Sequence, residues 1–65
     1  MLTFETFIRH YGLSSDNCEG YTERQIARIN RAAYRAAIAA IEDPDDDYAE
    51  IAICRSAIER EVARH

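Results

Sequence analysis

Apolar residues recur along this chain at helical spacing in three separate runs. Phe4, Phe7, Ile8 and Tyr11 fall at i, i+3, i+4 and i+7, which is one face of a helix. Thr3 stands before them as an N-cap and Gly12 follows as the C′ stop. Residues 13–20 are mostly small and polar and read as a connecting loop, with Leu13 folding back on the helix end.

The second run, Tyr21 to Glu42, carries the clearest start signal. Thr22 and Gln25 have the spacing of a capping box, and Tyr21 and Ile26 that of a hydrophobic staple across it. From Glu23 onward no glycine or proline intervenes, and alanines, the strongest helix formers, dominate from Ala32 to Ala40. Asp43-Pro44 then ends this helix and opens the next, with Asp43 as N-cap and Pro44 in the first helical position. The third helix spans about 44–64. Asp45, Asp46 and Asp47 lie in its first turn and Arg60, Arg64 and His65 toward its end, so both termini complement the helix dipole.

Placed about 100° apart, Ala36, Ile29, Ala40, Ala33, Ile26, Ala37, Ile41, Tyr34, Ala27 and Ile38 sweep an apolar arc of roughly 200° around the second helix, about twice what one neighbour needs. The third helix offers a narrower stripe of Tyr48, Ile51, Cys54, Ile58 and Val62. The pattern predicts an all-α domain over residues 1–65, a short N-terminal helix followed by a long antiparallel helical hairpin. The strip Ala33, Ala36, Ala37 and Ala40 is small enough to admit a second backbone. Because a 65-residue chain has a marginal core unless something supplements it, a homodimer packed through the second helix is favoured over a monomer.

Charge sharpens the picture. The net value is −4, yet all eight basic residues are arginine. GC-rich codons are the simpler explanation of that bias, and selection for the flat, bidentate contacts that guanidinium makes at interfaces is the alternative. Arg24, Arg28, Arg31 and Arg35 recur at +4, +7 and +11 and form a ladder along one edge of the second helix. Acids gather at Glu42, Asp43, Asp45, Asp46 and Asp47. The simplest role for the ladder is a solvated face with some guanidiniums paired to Glu23, Glu42 or acids of the third helix. On the third helix Ile53 projects away from the stripe and suggests a further contact, although a single exposed isoleucine is ordinary. Arg55 lies inside the stripe, where its stem packs and its head pairs with Glu59, or where it anchors a partner.

Chemistry is harder to find. Asp43, Asp45 and Asp47 alternate like calcium-loop ligands, but the obligatory glycine is Tyr48 and the bidentate glutamate is Cys54, so the motif fails and helix capping explains the acids. Cys18 and Cys54 have neither CxxC spacing nor a histidine partner, which argues against zinc; an unbridged pair suits a reducing cytoplasm. No basic leader and no run of ~20 apolar residues is present, so no membrane association is expected. His10 and His65 sit near element ends, Cys18 has acidic neighbours that disfavour a thiolate, and no glycine-rich phosphate loop exists. Neither catalysis nor a cofactor is expected.

What remains is a surface. The residues point to a small non-enzymatic interaction module, an inhibitor or adaptor that occupies a larger intracellular protein through the second or third helix. Its size, acidity and lack of catalytic residues resemble the small inhibitors encoded by bacteriophages, anti-CRISPR proteins among them, with no motif carrying the likeness. Partner contact falls either on the acidic cluster Glu42–Asp47, which suits a basic nucleic-acid site on the target, or on the arginine ladder. The alternative is a nucleic-acid-associated regulator that meets phosphates through the ladder. Thr22-Glu23-Arg24-Gln25-Ile26-Ala27 superficially resembles a helix-turn-helix opening, but the long helix that follows lacks the glycine turn, and the pI near 5.0 opposes this alternative.

Overall fold

The computed structural model describes residues 2–14, 20–43 and 45–64. It is all-α: α1 (Phe4–His10), α2 (Glu23–Ala40) and α3 (Asp47–Arg64), with no strand among the described residues. α2 and α3 form a helical hairpin and α1 lies against α2.

Each helix begins where a side chain can satisfy its free N–H groups. Thr3 Oγ1 accepts from the Thr6 N–H at 3.1 Å, which starts α1. At α2 the capping box closes both ways: Thr22 Oγ1 accepts from the Gln25 N–H at 3.1 Å, and Gln25 Oε1 accepts from the Thr22 N–H at 2.9 Å. Ile26 is buried and Tyr21 half-buried beside that cap. α2 closes at Ala40 with Ile41 as its C-cap, so Glu42 lies beyond the helix.

The start of α3 differs from the sequence expectation. Asp43 caps a turn instead of the helix: its Oδ1 accepts from the Asp45 N–H at 3.0 Å and its carbonyl from the Asp46 N–H at 3.2 Å. Asp46 is the residue that caps α3, accepting from the Ala49 N–H at 3.1 Å. Asp45 and Asp46 thus precede the helix, and Asp47 and Glu50 occupy its first turn, opposite Arg64 in its last. Pro44, expected in the first helical position, lies outside the described residues, as do Cys18, most of the expected loop, and His65.

Phe7 is the keystone of the core. It is fully buried with Ala33, Ala37 and Cys54, and Ala57 is nearly so. Leu2, Tyr11, Tyr34, Ile53 and Ile58 pack around them. The Phe7 ring lies 5.5 Å from Tyr34 and 5.8 Å from Tyr11, and Phe4 meets Tyr34 edge-on at 5.2 Å. The Tyr34 hydroxyl donates to the Leu2 carbonyl at 2.8 Å and ties the N-terminal segment to the middle of α2.

A second tie joins α1's exit to α2. Asn30, on the buried stripe of α2, accepts from the Leu13 N–H at 2.7 Å and donates to the Leu13 carbonyl at 2.9 Å. Both backbone groups of Leu13 are satisfied by one amide. Gly12 ends α1 as expected, but through close approach and not through a left-handed backbone, since Gly20 is the positive-φ glycine among the described residues. A Cβ on Gly12 would lie 2.7 Å from Ile8 Cα and 3.2 Å from Asn30 Oδ1.

The inner face of α3 matches the expected stripe at Cys54 and Ile58 but departs from it elsewhere. Tyr48 is 88% exposed and Ile51 39%, whereas Ile53, expected to project away, is half-buried and packs on the core. The buried line is Cys54, Ala57 and Glu61. Small side chains take the centre because α2 faces them with Ala33 and Ala37, and helices with small contact residues can approach closely. Those two alanines are consumed inside the chain, so only Ala36 and Ala40 of the four-alanine strip stay exposed. The strip expected to carry a homodimer is therefore halved.

Candidate functional site

Around α2 the buried residues Ile26, Ile29, Asn30, Ala33 and Ala37 define the inward direction. At about 100° per residue Arg24, Arg28, Arg31 and Arg35 point roughly 180° from it, straight away from the core. All four are exposed. Arg28, Arg31 and Arg35 surround Ala32 at a shallow surface depression, because the methyl of Ala32 leaves room between longer neighbours. Among the described residues, ion pairs join Arg9 to Glu5 at 3.8 Å and Arg64 to Glu61 at 3.4 Å, and none reaches the ladder. The expected pairing of these arginines with Glu23, Glu42 or acids of α3 is absent there.

The acidic cluster looks different. Glu42, Asp43, Asp45, Asp46 and Asp47 are all exposed, but Asp43 and Asp46 spend carboxylate oxygens on the turn and on the α3 cap. Their presence has a local reason. No group of three or more potential metal ligands exists among the described residues.

Arg55 does not lie within a buried stripe. It is exposed and borders a depression with His10, Tyr11, Ile58 and Glu59, without an ion pair to Glu59 among the described residues. Burial raises the Tyr11 hydroxyl above its ordinary pKa, the Cys54 thiol and the Glu50 and Asp47 carboxylates add to the rise, and the Arg55 guanidinium opposes them. The Cys54 thiol is raised too, first by burial and then by Glu50; it is free, fully buried and poorly disposed to react.

One feature escaped the sequence pattern. Between α1 and the first half of α2 lies a notch of about 280 Å³ floored by Phe4, Ile8, Ile26 and Ala27, with the exposed Glu23 and Arg31 among its lining residues. Arg31 also borders the depression on the ladder, so the notch and the ladder adjoin. The only signal in the sequence was Ala27, a small residue at the margin of the apolar arc beside Arg24 and Arg31.

No helix among the described residues is long and apolar enough to cross a membrane. Neither the models of known protein families, nor the curated proteins, nor the solved structures gave a match to this chain.

Proposed function

We propose that this chain is a small non-enzymatic interaction module of the cytoplasm, an inhibitor or adaptor that docks through the arginine ladder of α2 onto an acidic surface of a larger protein. A phage-type inhibitor is its most concrete form. The supporting observation is the asymmetry between the two charged regions. Asp43 and Asp46 of the acidic turn work within the fold, while Arg24, Arg28, Arg31 and Arg35 are exposed and meet no carboxylate among the described residues. Arginine is also enriched where interface energy concentrates, and its fork suits carboxylates. The free, buried Cys54 is in keeping with a reducing compartment.

Capture of tagged protein from nuclease-treated extracts of its native cell or infected host tests this. A partner held by the wild type should be lost with Arg28→Glu/Arg35→Glu and kept with Asp45→Asn/Asp47→Asn. The opposite pattern would move the contact to the acidic turn.

Nucleic-acid binding through the same ladder is the second function worth testing, because four guanidiniums spread over roughly 16 Å of helix, at ~1.5 Å per residue, can follow a row of phosphates. The net charge of −4 opposes it. A salt-dependent gel shift at low ionic strength separates the two, since phosphate contacts impose a steep loss of affinity with salt.

A further inference from the structure

The notch and the ladder meet at Arg31, and each offers what the other lacks. The notch, at about 280 Å³, falls short of the roughly 300–1,000 Å³ that cofactors and drug-sized ligands occupy. It is large enough for one apolar side chain. Its floor of Phe4, Ile8, Ile26 and Ala27 is aliphatic and aromatic, and the Asn30 amide beside it is already committed to Leu13 at both ends. The charged groups that line it are Glu23 and Arg31, both exposed.

Apolar surface continues along the same flank. Ile8 is 37% exposed at the notch, and Ile38 is 45% exposed farther along α2. Ala27 and Ile38 are separated by three helical turns and lie within about 20° of each other around the axis. Arg31 and Arg35 run beside that line, with Arg28 next to them.

We infer that this flank of α2 is a two-part docking surface for an acidic amphipathic helix of a partner protein, which places one large apolar side chain in the Phe4/Ile8/Ala27 notch and its carboxylates against Arg28, Arg31 and Arg35. The inference rests on the docking function proposed above and names the chemistry of its partner. Helix-in-groove recognition uses this division of labour: an apolar anchor supplies affinity and flanking charge fixes the register.

The charge around the notch selects protein over nucleic acid. Glu23 lines the notch on the side toward the start of α2, where its carboxylate repels a phosphate. A base would need an open aromatic face, yet Phe4 packs edge-on against Tyr34 and is half-buried. The same Glu23 sets a polarity on the partner. Its acids lie to one side of the anchor, opposite the arginines, and not opposite Glu23.

Fluorescence anisotropy with the full chain tests this, using labelled helical peptides of roughly 15 residues, about four turns. One peptide carries a Leu or Phe anchor followed by a glutamate face, a second has the anchor replaced by alanine, and a third is polyglutamate. Single-stranded and duplex oligonucleotides of similar length complete the set. The anchored peptide should bind about tenfold tighter than its alanine form, the scale expected from burying one such side chain. Ala27→Leu fills the notch at an exposed helical position and keeps helix propensity, so the fold, checked by circular dichroism, should survive. It should abolish the anchor's advantage and leave the alanine peptide's affinity unchanged, while Arg28→Glu/Arg35→Glu weakens both.

Equal binding of anchored and alanine peptides, or indifference of the anchored peptide to Ala27→Leu, overturns the notch and leaves docking by arginine standing. Loss of the arginine effect alone overturns the charge half and the proposed function with it. Tighter binding of an oligonucleotide than of any peptide, or no peptide binding at all, overturns the whole inference.

Discussion

α2 and α3 are equal in length, 18 residues each, but only α2 announces its inner face. On α2 the charged residues from Arg24 to Arg35 stand opposite the buried line, so the helix has one way to turn. α3 carries Ile51, Ile58 and Val62 on one side and Ile53 roughly 140–180° around from them at about 100° per residue, and places Glu61 on the buried line. Hydrophobicity alone does not orient such a helix. Size does: where α2 offers Ala33 and Ala37, α3 answers with Cys54 and Ala57, and its bulkier Tyr48 and Ile51 go outward.

The largest effect that tests this contrast is loss of the side chain that joins α1 to the hairpin. Phe7→Ala should cost about 3–5 kcal/mol, on the order of the whole stability of a small domain, and urea denaturation followed by circular dichroism should find the chain largely unfolded. A cooperative transition near the wild-type midpoint would mean that the hairpin needs no α1.

A pair of substitutions on α3 sharpens the contrast. Ala57→Leu adds apolar surface yet should destabilise by about 1–3 kcal/mol, because the helices are already in close contact there. Ile51→Ala removes apolar surface and should change stability by no more than about 0.5 kcal/mol, since the residue faces outward. If the costs come out in reverse order, the stripe expected from the sequence is the inner one.

The smallest effect is alkaline. Cys54 and Tyr11 both hold their protons more tightly in the folded chain than their ordinary values of 9.0 and 10.0. The unfolded chain therefore releases those protons first. Their contribution to stability is intact below pH 9.0 and declines as pH rises through the raised values. Urea midpoints measured from about two units below to about one unit above the ordinary thiol value of 9.0 should fall as pH rises, and Cys54→Ala should flatten that fall whatever it does to the midpoint at neutral pH.

Much of the architecture was legible because it rests on local chemistry. The Thr22/Gln25 box, the Thr3 cap and the alanine run of α2 need only neighbours in sequence. The α3 start was misplaced by three residues because Asp43, Asp45, Asp46 and Asp47 are chemically interchangeable as caps, and only backbone geometry separates the turn at Asp43 from the cap at Asp46. Ile53 and Ile51 exchanged places for a tertiary reason, the closeness of α2, which no window on α3 contains. The arginine edge was readable as a pattern. The notch was not, since it forms only where α1 crosses Ile26 and Ala27.

The outward edge of α2 has a property that follows from its side chains. Its positive charge is carried by guanidinium, and with no lysine in the chain there is no ε-amine for acetylation to neutralise. Even arginine methylation would keep the charge. The charge along Arg24, Arg28, Arg31 and Arg35 is thus beyond the reach of lysine acetylation. A charge-dependent contact made there is tuned from the other side, by phosphate added to the partner or by competing salt.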